Sequence, residues 1–311
     1  MKSYSELFEH TPLQIISRES KLAMVQTEMV ASLLGDVAYQ IKGISTSGDE
    51  VLDRPLVEIG GKGVFIKALE IEMMEGRADC AVHSLKDMET IIAPNTAFQA
   101  VLPRADRRDA LVGAYQSLDD LPQGAVIGTS SVRRSAMLRH YRPDLKISLL
   151  RGNVQRRLAQ LEAGAFDAII LAKAGLDRLD LGDLGTPLNE EIMMPSASQG
   201  VIAIQIATHD KKRKQAMEAL FNEMNCQKTF AAITAERSLL AHLDGSCRTP
   251  IGAVADLQDE GQISLRACVL SADGTKRFDA QMTAPIAEAR QLGIAVGAAL
   301  LSQCGGRGFL A

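Results

Sequence analysis

Short apolar runs alternate with amphipathic stretches along the first two thirds of the chain. The runs at 13–16 and 167–172 predict buried strands, whereas the apolar residues of 19–34 recur at helical spacing and predict a helix. The same patterns predict strands at 37–42, 79–83, 125–128 and 146–150, and helices at 64–76, 131–140 and 154–163. Because strands and helices alternate and the strands are apolar throughout, we expect parallel or mixed sheets covered on both faces.

The last third has a different pattern. A long helix is predicted at 228–243, and Pro285 is typical of a first helical position, so we expect it to open a final helix that runs to about Cys304. Between these helices, strands are predicted at 250–257, 262–270 and 276–282, with a hairpin turn at Ala272-Asp273-Gly274. This order is typical of a small α+β domain.

The predicted fold is therefore two α/β domains followed by a smaller α+β domain. A strand at 201–207 could return to the first sheet, so that the chain crosses twice between the first two domains and forms a hinge. We expect the first domain at 11–103 and 197–222, the second at 104–196 and the third at 225–311.

Composition excludes several classes of protein. The 311 residues carry a net charge of −4, with no Trp and few other aromatic residues, which argues against a nucleic-acid partner. No apolar run reaches the ~18 residues of a membrane span, and the first twelve residues lack the features of a secretory signal. The five cysteines are odd in number and contain no CxxC pair, so we expect no disulfide framework, no metal site and a reducing, cytoplasmic compartment.

Arginine is concentrated in the middle of the chain. Residues 104–178 hold eleven of the 21 arginines and have a local net charge of +5, so the remainder carries −9. Guanidinium groups bind carboxylates and phosphates in a forked geometry, although a solvated basic surface would have the same composition. The arginines at 18, 133–134, 151 and 178 follow predicted strands, where open α/β sheets bind ligands. Because no phosphate-binding glycine motif occurs, a polycarboxylate is favoured over a nucleotide.

Three further segments carry candidate chemistry. The glycine-rich loop at 60–65 could hold an anion, act as a lid or be a plain turn. Asp87 follows the strand at 79–83 and could stabilise a positive charge or move a proton, or it could simply cap a helix. His83 is expected to be a structural hydrogen-bond partner rather than a base. Cys247, beside Arg248, is either a reactive thiolate or an incidental thiol.

Together these segments resemble the porphobilinogen deaminase (hydroxymethylbilane synthase) family, in order, from Leu13 to Cys304. The resemblance is carried by eight stretches: Ser17-Arg18-Glu19-Ser20, Gly60-Gly61-Lys62-Gly63-Val64-Phe65, Ala81-Val82-His83-Ser84-Leu85-Lys86-Asp87, Gly128-Thr129-Ser130-Ser131-Val132-Arg133-Arg134, Leu150-Arg151-Gly152-Asn153-Val154, Ala174-Gly175-Leu176, Gln199-Gly200 and Gly245-Ser246-Cys247.

The resemblance implies a three-domain, typically monomeric enzyme of tetrapyrrole biosynthesis, whose first two domains are similar to periplasmic binding proteins. It implies that four porphobilinogen molecules are condensed head to tail, with loss of ammonia, to hydroxymethylbilane. It further implies a dipyrromethane cofactor held by a thioether to Cys247, with Asp87 as the catalytic carboxylate. The implied cofactor-binding residues are Lys86, Thr129, Ser131, Arg133, Arg134 and Arg157; the substrate-binding residues are Arg18, Ser20, Arg151, Arg178 and Gln199; Lys62 and Phe65 belong to a mobile loop.

The sequence departs from the family pattern at a few positions. Met88-Glu89 replaces Val-Pro, Arg107 replaces Pro, Lys173 replaces a small or apolar residue, Ser198 replaces Gly and Ser47 replaces Arg. None of these removes a residue with an implied catalytic role. A divergent paralogue, or a non-enzymatic two-lobed carboxylate-binding protein, therefore stays open as an alternative.

Overall fold

Three sheets organise residues 8–46, 66–244 and 249–310, which are the parts of the chain that the computed structural model describes. The strands are β1 (Leu13–Arg18), β2 (Tyr39–Ile44), β3 (Cys80–Ser84), β4 (Thr96–Val101), β5 (Asp109–Gly113), β6 (Val126–Gly128), β7 (Lys146–Ser148), β8 (Ala168–Ala172), β9 (Gly185–Pro187), β10 (Ile202–Ala207), β11 (Ile251–Leu257), β12 (Gln262–Leu270) and β13 (Arg277–Pro285). The helices are α1 (Lys21–Ala31), α2 (Lys67–Met74), α3 (Val132–Tyr141), α4 (Val154–Glu162), α5 (Lys173–Asp177), α6 (Lys211–Met224), α7 (Gln227–Leu243) and α8 (Ala289–Cys304).

The first sheet has the strand order β2-β1-β3-β10-β4. β1 is parallel to β2 and β3, whereas β10 is antiparallel to β3 and β4. Residues of α1 and α6 pack on one face of this sheet, and Leu69 and Met73 of α2 pack on the other. The expected return of the chain to the first sheet through 201–207 is therefore confirmed.

The second sheet repeats this arrangement in the order β7-β6-β8-β5-β9. Here β6 is parallel to β7 and β8, and β5 is antiparallel to β8 and β9. In each sheet the antiparallel strand in fourth place is the first strand after the chain has crossed from the other sheet. The expectation of mixed α/β sheets covered on both faces is confirmed, although the sequence pattern did not show β4, β5 or β9.

The third sheet is a small antiparallel meander, β11-β12-β13, packed against α7 and α8. The hairpin turn lies where it was predicted, and Gly274 takes a left-handed φ of 76° there. The predicted start of the final helix was wrong. Pro285 ends β13, where it pairs with Gln262, and the α-helix begins at Ala289. Proline is tolerated at this place because β13 is an edge strand.

A buried carboxylate joins both chain crossings to the third sheet. Glu236 of α7 accepts hydrogen bonds from the Arg104 guanidinium at 2.6 Å, the Ser198 backbone N–H at 2.6 Å and the Ala255 backbone N–H at 2.8 Å. Arg104 lies on the first crossing, Ser198 on the second and Ala255 on β11. The segments that link the two larger sheets are thus fixed to α7. Within the described residues, no helix is long and apolar enough to cross a bilayer.

Candidate active site

A cavity of about 540 Å³ lies at the carboxyl ends of the parallel strands, between the two larger sheets. Among the described residues that line it, seven are basic and two, Glu19 and Asp87, are acidic, so its wall has an excess of five positive charges. The basic residues are Arg18, Lys86, Arg133, Arg134, Arg151, Arg156 and Arg157. A cavity of this size and charge suits a small molecule that carries several carboxylates.

Asp87 and Arg18 reach the cavity from neighbouring strands. Arg18 ends β1, and Asp87 lies in the short 3₁₀ turn that follows β3, so the parallel pairing of β1 and β3 brings them together. Asp87 Oδ2 is 3.9 Å from Arg18 Nη1, and 31% of the Asp87 side chain is exposed. The carboxylate is therefore open to a ligand and lies beside a cation.

Lys86 is half-buried at the wall of the cavity. Its Nζ donates to Gln199 Oε1 at 3.2 Å, across the second chain crossing. Burial, together with the nearby Arg134 charge, lowers the pKa of Lys86 to about 8, although Asp87 and Asp109 oppose the shift. A bound carboxylate would favour the charged form of this ammonium group.

Arg133 and Arg134 share a buried partner that the sequence analysis missed. Asp109, fully buried at the start of β5, accepts from Arg133 Nη2 at 2.7 Å, from Arg134 Nη2 at 2.7 Å and from Gln199 Nε2 at 2.8 Å. Burial disfavours the Asp109 carboxylate, but the two arginines outweigh burial and hold its pKa well below the usual range. Asp109 therefore fixes both guanidinium groups beneath the cavity wall.

Two further arginines lie around the start of α4: Arg151 in the segment before the helix and Arg157 in its first turn. Asn153 caps this helix by accepting from the Arg156 backbone N–H at 3.0 Å, and Arg157 Nε donates to the Gly152 carbonyl at 2.7 Å. Burial and the neighbouring Arg134 and Arg151 lower the pKa of Arg157 to about 10. The negative charge of a ligand would therefore reduce the repulsion between these neighbouring cations.

Ser20 and Ser131 line the cavity as helix caps. Ser20 accepts from the Ala23 backbone N–H, and Ser131 accepts from the Arg134 backbone N–H, so the amino ends of α1 and α3 face the cavity. Helix amino termini attract anions, which adds to the effect of the arginines.

Thr129 and Arg178 do not line the cavity. The buried Thr129 hydroxyl accepts from the Ser131 backbone N–H at 3.2 Å, and Arg178 Nη2 donates to the Gly200 carbonyl at 2.7 Å. Thr129 thus supports the turn before α3, and Arg178 holds the second chain crossing.

Lys62, Phe65 and Cys247 lie outside the described residues. The residues that flank their segments do line the cavity: Ser45 and Ile66 stand on either side of 47–65, and Leu240 and Thr249 stand on either side of 245–248.

His83 makes the structural hydrogen bond that was expected of it. Its Nε2 lies 3.0 Å from Gln205 Oε1, on the neighbouring strand β10. The imidazole is buried yet borders the cavity.

Comparison with family models decides the assignment. Residues 13–215 match the model described as "Porphobilinogen deaminase, dipyromethane cofactor binding domain", and residues 230–302 match "Porphobilinogen deaminase, C-terminal domain". The chain belongs to the porphobilinogen deaminase family. It is accordingly a transferase of tetrapyrrole biosynthesis that acts on porphobilinogen and has a dipyrromethane cofactor.

Individual relatives agree with this assignment. The chain is 45% identical over 274 residues to a porphobilinogen deaminase of Francisella philomiragia, which covers 86% of this chain and 90% of the relative. It is likewise 45% identical over 275 residues to a porphobilinogen deaminase of Francisella tularensis subsp. novicida, with coverages of 87% and 90%. Among solved structures it is similar to the periplasmic VFT2 domain of Bordetella pertussis BvgS, with a TM-score of 0.42, 12% identity and coverages of 76% and 98%.

The residues around the cavity fit a dipyrromethane. Its acetate and propionate groups are carboxylates, and the described wall has seven basic residues against two acidic ones. Arg133 Nε is also a buried donor without a hydrogen-bond partner in the described structure. A donor left in this state is costly unless a ligand satisfies it.

Proposed function

We propose that the cavity is where this chain joins four porphobilinogen molecules head to tail, releasing ammonia at each step and finally hydroxymethylbilane. The observation that carries this proposal is the placement of Asp87, an accessible carboxylate beside Arg18, in a wall whose basic residues outnumber its acidic residues by seven to two. The basic wall suits the carboxylates of substrate and product, and Asp87 suits the positive charge that develops during the reaction.

Asp87 is proposed as the catalytic residue. Loss of ammonia from porphobilinogen leaves an electron-poor carbon, and attack by a pyrrole on that carbon gives a cation. A fixed carboxylate beside the pyrrole N–H groups stabilises this cation and can accept or return a proton. Arg18, whose Nη1 is 3.9 Å from Asp87, can bind a substrate carboxylate nearby.

The other proposed contacts divide by their position. The carboxylates of the cofactor would be held by Lys86, Ser131, Arg133, Arg134 and Arg157. When bound, the cofactor supplies the nucleophilic pyrrole carbon for the first condensation. Arg18, Ser20, Arg151 and Gln199 would hold the substrate. Thr129 and Arg178 would act indirectly, because they support the turn before α3 and the second crossing.

We propose Cys247 as the point of covalent attachment through a thioether. Two peptide units separate it from Thr249, which lines the cavity, and two residues of chain span at most about 7 Å. Lys62 and Phe65 are proposed to cover the cavity, since Ile66, which follows Phe65 directly and Lys62 by four residues, contributes to its wall.

The domain boundaries are proposed as 11–103 with 197–222, 104–196, and 225–311, because each range contains the strands of one sheet. We also propose that the protein acts as a monomer in the cytoplasm. The described cysteines, Cys80, Cys226, Cys268 and Cys304, are free thiols, which agrees with a reducing compartment.

Intact-protein mass spectrometry tests the attachment and the reaction together. The protein incubated with porphobilinogen is expected to release ammonia and to carry the mass of one dipyrromethane unit, located on Cys247 by peptide mapping. Cys247→Ser is expected to carry no adduct, whereas Cys226→Ser, a control that leaves the loop intact, keeps it. An equal adduct on the Cys247→Ser protein would contradict the assignment.

A further inference from the structure

The wall of the cavity is rich in hydrogen-bond donors, and its amide oxygens are already used within the protein. The side-chain oxygens of Gln26, Asn153 and Gln199 accept from the Ser84 hydroxyl, the Arg156 backbone N–H and the Lys86 ammonium group, respectively. The seven basic side chains of the wall can bind the carboxylates of porphobilinogen, but they cannot accept hydrogen bonds from the pyrrole N–H groups. Beyond the carboxylates of Asp87 and Glu19, the described wall contains one imidazole, that of His83. Its value as an acceptor depends on which ring nitrogen carries the proton.

The surroundings of Gln205 fix the orientation of its amide. Gln205 Nε2 lies 3.1 Å from Glu70 Oε1 and 2.8 Å from Thr96 Oγ1. The Glu70 carboxylate only accepts, and the Thr96 hydroxyl donates its hydrogen to the Ala93 carbonyl at 2.8 Å, so both neighbours accept from Nε2. The amide oxygen of Gln205 must therefore face His83.

This orientation determines the tautomer of His83. Because Gln205 Oε1 is an acceptor, His83 Nε2 carries the hydrogen and donates it over 3.0 Å. Nδ1 then has a lone pair, and among the described residues it has no hydrogen-bond partner. Burial lowers the pKa of His83 to about 4; the hydrogen bond that His83 donates to Gln205 opposes this shift and the charge of Arg18 adds to it, so the ring is neutral near pH 7.

We propose that His83 Nδ1 accepts a hydrogen bond from a pyrrole N–H of the substrate in the cavity. The sheet holds Nε2, and the cavity side of the ring is used for recognition. The inference rests on the proposed function and deepens it, because it assigns a neutral acceptor for the N–H groups in addition to the charged carboxylate of Asp87.

Two substitutions separate this role from a structural one. His83→Gln can keep a donor for Gln205 but places no acceptor at the position of Nδ1, whereas His83→Asn places an oxygen near Nδ1 and loses the bond to Gln205. We expect kcat/KM for porphobilinogen to fall about tenfold in His83→Gln and distinctly less in His83→Asn, as for the loss of one hydrogen bond. A structural role predicts the opposite order, and that order would overturn the proposal.

Imidazole ¹⁵N NMR gives a readout that does not depend on turnover. The His83 signals, assigned by their loss in His83→Asn, are expected to show protonated Nε2 and unprotonated Nδ1. Titration of the Asp87→Asn protein with porphobilinogen should move the Nδ1 resonance towards that of a hydrogen-bonded nitrogen and leave Nε2 almost unchanged. A protonated Nδ1, or an Nδ1 signal that substrate does not move, would refute the inference. Ammonia release by the unsubstituted protein tests the proposed function separately.

Discussion

Asp109 organises two arginines of the cavity wall although it does not itself line the cavity. It is the shared acceptor for Arg133, Arg134 and Gln199. Without its negative charge, the two guanidinium groups would be like charges side by side in a buried region. Sequence analysis identified both arginines from the strand-to-helix junction. It could not identify Asp109, which is 24 and 25 residues away in the chain and belongs to a strand that the pattern did not show.

Asp109→Asn is expected to lower the free energy of unfolding by about 3 kcal/mol, because it leaves two buried guanidinium groups without a counter-charge. Urea denaturation followed by circular dichroism measures the change. Asp106→Asn is the matched control: its partner Arg108 is 45% exposed, so a loss below about 1 kcal/mol is expected. Equal stabilities of Asp109→Asn and Asp106→Asn would contradict the interpretation.

The lowered pKa of Lys86 leads us to expect that substrate binding depends on pH. Its pKa of about 8 in the ligand-free protein rises when a carboxylate binds, so the charge that attracts the ligand is lost as the pH rises through 8. The KM for porphobilinogen is expected to increase over that interval. Lys86→Arg, which stays charged, should lack this increase even if its KM is higher at every pH. Parallel profiles for the two proteins would show that Lys86 does not titrate in the site.

At the scale of elements, the carboxyl ends of parallel strands could be predicted from the sequence, and with them most of the cavity wall. Ten of the twelve proposed binding and catalytic residues that the structure describes line one cavity, because strand ends in an open α/β sheet lie on a common edge. The strands at the edges of the sheets were harder to predict from the sequence. β9, which consists of Gly185, Thr186 and Pro187, contains no apolar run, and β13 retains Pro285 because its outer edge needs no partner.

Arg107, at a position where the family resemblance leads us to expect Pro, joins the first crossing to the turn at Glu190 and to β11. Its guanidinium contacts Glu190 at 2.7 Å and Asp256 of β11 at 2.6 Å, and Glu190 also binds Arg266 of β12 at 2.8 Å. Burial opposes the charge of Arg107, but the two carboxylates outweigh burial and raise its pKa. The departure from the family pattern thus creates an ion-pair network between the second and third sheets.

Arg107→Ala is expected to lower the free energy of unfolding by about 1–2 kcal/mol, since the network is partly buried and each guanidinium contact is bidentate. Arg108→Ala is the control, because Arg108 pairs only with the local Asp106 among the described residues. Thermal denaturation at low and high salt measures both variants. A loss in Arg108→Ala as large as that in Arg107→Ala would contradict a role for the network.

For the whole molecule, the two larger sheets share one strand order, and each is completed by a strand that arrives from the other. The sequence pattern predicted a strand at 201–207 that could return to the first sheet. It did not show that Glu236 holds both crossings, since contacts between Arg104, Ser198 and α7 depend on tertiary packing. Ser198 also has a left-handed φ of 64°, in a position where the family commonly has Gly.

The turnover of Asp87→Asn tests whether Asp87 is the catalytic residue. Mass spectrometry should show the dipyrromethane adduct on this variant as on the unsubstituted protein, so that loading and folding are controlled in the same sample. Formation of hydroxymethylbilane is expected to fall by about a hundredfold or more, because the cation loses its fixed counter-charge. A loaded Asp87→Asn protein with turnover close to that of the unsubstituted enzyme would contradict the account.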